Sequence, residues 1–155
     1  MKTAFVVTAF IASALARSFN LAVAKSEFRQ LNDRFVAAKD GHFVVTKDIA
    51  PGEFKGGNGE LKLSPGKKVY AGPTGHIGYF TGSSKAPKGF VIKGCSKTPA
   101  DGEVHWTKGA VFACPNVSFN IGTPTEYQLF ANHEGTPTGQ ADNCFNIHLS
   151  IEETK

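Results

Sequence analysis

Tyr127-Gln128-Leu129-Phe130-Ala131-Asn132 is the stretch on which the fold turns, because Tyr127, Leu129 and Ala131 alternate there with Gln128, Phe130 and Asn132. Successive side chains of a strand point to opposite faces, so a period of two gathers the apolar set on one side of a sheet. The same alternation recurs towards both ends. Phe19, Leu21 and Val23 alternate with Asn20, Ala22 and Ala24, and Ile147, Leu149 and Ile151 alternate with His148, Ser150 and Glu152. Between them lie shorter runs: His42 to Thr46, Leu61 to Leu63, Lys68 to Gly72, His76 to Phe80, Gly89 to Lys93, Glu103 to Thr107 and Ala110 to Cys114. Segments of this length, bounded by Gly, Pro, Asn and Asp, predict an all-β chain: a single compact sandwich or barrel of about ten short antiparallel strands.

Asp40-Gly41, Asn58-Gly59, Asp101-Gly102 and Lys108-Gly109 place glycine where hairpin turns need a positive φ, and each joins two of these runs. Phe28, Leu31 and Phe35 sit at helix-like spacing between Ser26 and Ala38, yet strand and loop is the preferred reading over a short helix. Pro51 to Gly59 and Ser83 to Gly89 are rich in Gly, Ser and Lys and are expected to be exposed loops.

The N-terminus reads as a secretory leader over residues 1–16. Lys2 supplies the positive end, Ala4 to Ala12 the apolar run, and Ala14-Leu15-Ala16 a small-x-small site with cleavage expected after Ala16. The apolar run is shorter than the roughly 20 residues a bilayer requires, so no membrane span is expected. Cleavage would leave 139 of the 155 residues as one domain, 17–155. The formal charge of +4 falls to +3 without Lys2 and is spread as scattered lysines. That is too diffuse for a nucleic-acid footprint; the summed field of a basic protein can hold it to acidic polysaccharide or membrane surfaces, but a solvated lysine-rich face is the preferred reading.

Three cysteines, Cys95, Cys114 and Cys144, follow the leader, with 18 and 29 residues between them. An oxidising route favours one disulfide and one remaining thiol. The spacing contains no Cys-x-x-Cys pair, so no metal site and no cofactor are expected.

The search for catalytic groups yields no constellation. His42, His76, His105, His133 and His148 are present, but no Gly-x-Ser-x-Gly elbow accompanies them, and structural roles are the expectation for each. Glu103 and Glu126, with Glu60 and Asp142 near turns, are the acids best placed for glycoside chemistry, which needs two carboxylates facing across a groove. Exposed strand-end acids are the plainer reading. Gly56-Gly57-Asn58-Gly59 lacks the Lys-Ser/Thr of a phosphate cradle. Among the aromatic residues, Trp106, Tyr70 and Tyr79 are candidates for stacking on a ligand, while most of the 13 phenylalanines are assigned to the core. Asn116-Val117-Ser118 is an N-glycosylation sequon at Asn116.

Four blocks in order, Lys68-Val69-Tyr70-Ala71-Gly72-Pro73-Thr74-Gly75-His76-Ile77-Gly78-Tyr79-Phe80-Thr81, Phe112-Ala113-Cys114-Pro115-Asn116, Tyr127-Gln128-Leu129-Phe130-Ala131 and Asp142-Asn143-Cys144-Phe145, resemble the fungal secreted cell-wall proteins of the PhiA (phialide development) type. That group is similar to small fungal secreted elicitor proteins. The resemblance implies a non-enzymatic extracellular protein with a compact β fold, and it implies a disulfide between Cys114 and Cys144. A closed loop of that length contributes roughly 3 to 4 kcal/mol in the chain-entropy model. The family pattern also has a cysteine pair in its first half, which Val44 to Gly59 does not contain. The functional expectation is a secreted wall or apoplastic protein acting through surface interactions, elicitor-like in its sharper form, with wall polysaccharide or a host or wall protein as partner. The alternative is a small carbohydrate- or ligand-binding β-barrel using aromatics at one mouth.

Overall fold

The computed structural model describes residues 18–56, 58–72, 74–81, 95–98, 103–106, 109–115, 125–131 and 144–154. The leader, the Gly89 to Lys93 run, the Ser83 to Gly89 loop, the Asp101-Gly102 turn, Asp142, His133 and Asn116 lie outside them. The thirteen described strands are β1 (Phe19–Ser26), β2 (Phe35–Lys39), β3 (His42–Thr46), β4 (Phe54–Gly56), β5 (Asn58–Gly59), β6 (Leu61–Leu63) and β7 (Lys67–Ala71), followed by β8 (Ile77–Phe80), β9 (Cys95–Thr98), β10 (Glu103–Trp106), β11 (Val111–Pro115), β12 (Tyr127–Ala131) and β13 (Phe145–Glu153).

All of these strands pair antiparallel in one sheet, and the sheet closes on itself. β1 pairs with β13, β13 with β11, β11 with β12, β12 with β3, β3 with β2, and β2 again with β1. Within this ring closure removes the unpaired edges an open sheet would leave, while β10, β9 and β5 branch from β13 outside it, and the closed ring makes the architecture a barrel. β4, β6, β7 and β8 form a second wall. It is tied to the ring at Phe19↔Phe54 on one side and at His42↔Gly78 on the other.

The alternation predicted from sequence sets which side chains face inward. Phe19, Leu21 and Val23 of β1, Tyr127, Leu129 and Ala131 of β12, and Ile147 and Leu149 of β13 all belong to one buried apolar cluster. A small void of about 30 Å³, lined by Leu21, Phe43, Leu129 and Leu149 among others, is wholly apolar. Its walls offer a water no hydrogen-bond partner.

Two expectations are corrected. Pro51 to Gly59 is not an exposed loop throughout: Phe54 is buried and its ring packs against Phe43 at 5.4 Å and Phe19 at 6.4 Å between centroids. A lone aromatic among Gly and Lys carries no periodicity, yet its burial outweighs the local composition. Asn58-Gly59 does lie in the connection of the β4–β6 hairpin, which closes at Gly56↔Leu61, but it does not carry the positive φ. That falls on Gly56, at 96°, and Asn58-Gly59 pairs with Ser96 and Cys95. At Lys108-Gly109, Gly109 has φ 159°, essentially extended backbone. The Asp40-Gly41 turn is as expected, with φ 48° and 83°, the pair of positive values a two-residue hairpin needs. Between Ser26 and Ala38 the chain makes one 3-10 turn, Arg29–Leu31, and then enters β2.

Candidate functional site

The acids singled out from sequence do not form a pair. Glu126 is 7% exposed, and both its carboxylate oxygens accept from the Lys39 ammonium, at 2.6 and 2.7 Å. It precedes Tyr127, which stands opposite Pro115 beyond the Phe145 end of β13. Glu103 stands opposite Ser150, five residues further along that strand. Pro115 is two residues past the partner of Phe145 and Glu126 lies one further, so at a rise of about 3.3 Å per residue the two backbone positions are about 26 Å apart along the strand direction, too far for the paired geometry of glycoside hydrolysis. Glu103 meets His148 at 3.4 Å instead, and Glu60 lies 3.8 Å from Lys62.

The stacking candidates are drawn into packing or set apart. Tyr70 is 7% exposed, with its ring against His76 and Phe80. Tyr79 packs on Phe43, its hydroxyl accepts from the Gly41 amide at 3.1 Å, and the Lys67 ammonium sits 4.9 Å from its ring centre. Trp106 is on β10, paired through its backbone with Cys95, in the part of the sheet next to β13 and not in the wall that holds β7 and β8. Burial raises the Tyr70 hydroxyl above its ordinary value of 10.0, so it stays protonated near neutral pH.

Two histidines meet on the outer face. His42 and His76 approach edge to face at 5.8 Å; Gln128 lies 3.4 Å from His42 Nδ1, and Thr74 lies 3.0 Å from His76 Nδ1. Partial burial first, and the neighbouring His42 charge second, push His76 below its usual 6.5. Among the described residues no three His, Cys, Asp or Glu side chains converge to hold a metal.

The feature that sequence reasoning missed is a groove of about 460 Å³ where β2 begins and β3 ends. That is the size range of small-ligand sites, roughly 300–1,000 Å³. It is lined by Asn32, Asp33, Arg34 and Phe35 where β2 begins, by Thr46 and Lys47 where β3 ends, and by Ile49 and Pro51 just beyond. The local backbone explains the shape. Asp33 is held at φ 62°, with its amide donating to the Val23 carbonyl at 2.8 Å, opposite the bulge between Val23 and Lys25. Asp tolerates this left-handed conformation better than most residues, and the reversal leads the chain from the 3-10 turn into β2, whose first residue, Phe35, is left exposed.

Three irregularities coincide there. Phe35 is a large apolar side chain left 37% exposed. The buried Asn32 Oδ1 and Arg34 Nε each have no partner among the described residues, a cost on the order of 1–3 kcal/mol apiece. A sequence signal for the groove did exist. Counting outward from the Asp40-Gly41 turn pairs Lys39 with His42 and, four steps on, Phe35 with Thr46, which brings Arg34 and Lys47 to one end of the hairpin.

The structure also joins Cys114, at the end of β11, to Cys144, just before β13. Cys95 is in β9, opposite Gly59 and Trp106. Among the described residues no helix is long and apolar enough to cross a membrane. No family model, curated protein or solved structure matches this chain.

Proposed function

We propose that this chain is a secreted, non-enzymatic protein of the fungal cell wall or apoplast that acts by surface recognition, in its sharper form as an elicitor. The leader-like residues 1–16 and the resemblance of the ordered blocks support the setting, and the Cys114–Cys144 bridge is compatible with an oxidising compartment. The observation that carries the mode of action is the groove at Asn32–Phe35. A groove of ligand size lined by Asp33, Arg34 and Lys47 beside an exposed aromatic ring is what a recognition surface presents to a partner.

The second reading, a carbohydrate- or ligand-binding barrel, is supported by this outer groove and not by a barrel mouth, since the interior is filled by apolar side chains. The test is fractionation of the tagged protein between culture filtrate, salt or detergent wash and covalently bound wall, with intact mass under non-reducing conditions. Recovery in wall or filtrate as a processed chain two hydrogens light is expected. Retention inside the cell with three free thiols would overturn the proposal.

A further inference from the structure

Three consecutive residues at the groove carry flat polar groups of different kinds: the Asn32 amide, the Asp33 carboxylate and the Arg34 guanidinium. Together they offer acceptors and donors in alternation. A sugar ring presents the complement, with neighbouring hydroxyls that each donate and accept and a C–H face that packs on an aromatic ring. Phe35 supplies that ring at the same place.

Charge narrows the choice further. Arg34 and Lys47 line the groove together with Asp33, a local excess of one positive charge, and a guanidinium is well shaped for a carboxylate. An extended peptide is the poorer fit, because strand addition needs a free sheet edge. β2 is already paired with β1 and β3, and β3 with β2, β8 and β12.

We propose that the groove binds a carboxylated oligosaccharide, with Phe35 against the sugar face, Arg34 and Lys47 on the carboxylate, and Asn32 and Asp33 on hydroxyls. This names the ligand class of the surface recognition proposed above and rests on that reading.

The test is calorimetric titration of the secreted, processed protein with a uronic-acid oligosaccharide, a neutral glucose oligosaccharide of equal length and a glutamate-rich peptide, at low and high salt. Binding of the uronate alone is expected, weakening as salt screens the exposed charges. Lys47→Glu, an exposed charge reversal, should weaken it by about tenfold or more, and Phe35→Ala by about tenfold, roughly 1.4 kcal/mol. An unchanged melting temperature in Lys47→Glu shows that the fold is retained, so this variant decides the matter even if Phe35→Ala unfolds. Equal affinity for neutral and acidic sugars, binding of the peptide instead, or uronate affinity unmoved by Lys47→Glu would each overturn the assignment. A wall-retained protein that ignores uronate defeats the ligand and leaves the extracellular role standing. A protein held inside the cell defeats that role whatever the titration gives.

Discussion

Single residues decide two features of this barrel. Gly75, at φ 87°, leaves room only for a hydrogen: a Cβ there would stand 2.6 Å from the Ala131 carbonyl oxygen, which fixes how the turn before β8 meets β12. Gly66, at φ 79°, would meet nothing. Gly66→Ala should therefore cost only the left-handed backbone strain of about 1–2 kcal/mol. Gly75→Ala should cost more, because backbone must move as well. Urea midpoints of the two variants measure the difference, and equal losses would mean that the close approach is not rigid. At His76 the argument concerns protons. Burial and His42 lower its folded value below the ordinary 6.5, so between the two values the unfolded chain binds more protons, and stability falls as pH drops. The melting temperature should decline from about pH 7.5 to about pH 5, above most of the carboxylate range, and His76→Gln should flatten that slope. A slope identical in the variant would assign the decline to other groups. Neither residue's role was legible in the sequence, since a glycine in a turn looks the same whether its Cβ would meet solvent or another strand.

Among the elements, those that carry their own period were legible. β1, β12 and β13 put their alternating apolar sets inside as read, because period two and burial on one face are the same physical fact. β4 was not, since three residues hold no period and Phe54 is buried by partners from β1 and β3. The groove fell in the one segment whose spacing was ambiguous between helix and strand, so its exposed Phe35 could not be told from a core residue. The bridge from β11 to β13 gives a prediction at this scale. It closes a loop of sequence separation 30, so removing it should cost on the order of 2–5 kcal/mol. Cys144→Ser is the cleaner variant. It leaves Cys114, which is fully buried, as a small apolar thiol in place. A midpoint within error of the parent's would show that β11 and β13 are held by their pairing alone.

For the whole molecule the question is whether the wall of β4, β6, β7 and β8 can open without the ring. Its backbone attachment is slight, one residue pair to β1, one to β3 and a single bridge from His76, just before β8, to Phe130 of β12, which argues for independent opening. Its side chains argue otherwise: Phe54, Leu61, Leu63, Val69 and Ile77 all lie in the same buried cluster as β1, β12 and β13. Burial of each contributes about 1.5–3 kcal/mol, so peeling the wall away would forfeit on the order of 10 kcal/mol. A domain of this size has only about 5–15 kcal/mol in total. Opening the wall is thus as costly as unfolding, and burial wins over the sparse pairing. Native-state hydrogen exchange should find amides of β6 and β7 protected to within about tenfold of those of β1 and β13, all reporting one cooperative transition. Exchange about a hundredfold faster in β6 and β7 would instead make the wall a separate unit. It would also mean that the apolar cluster is two cores sharing a border, held together mainly at Phe54.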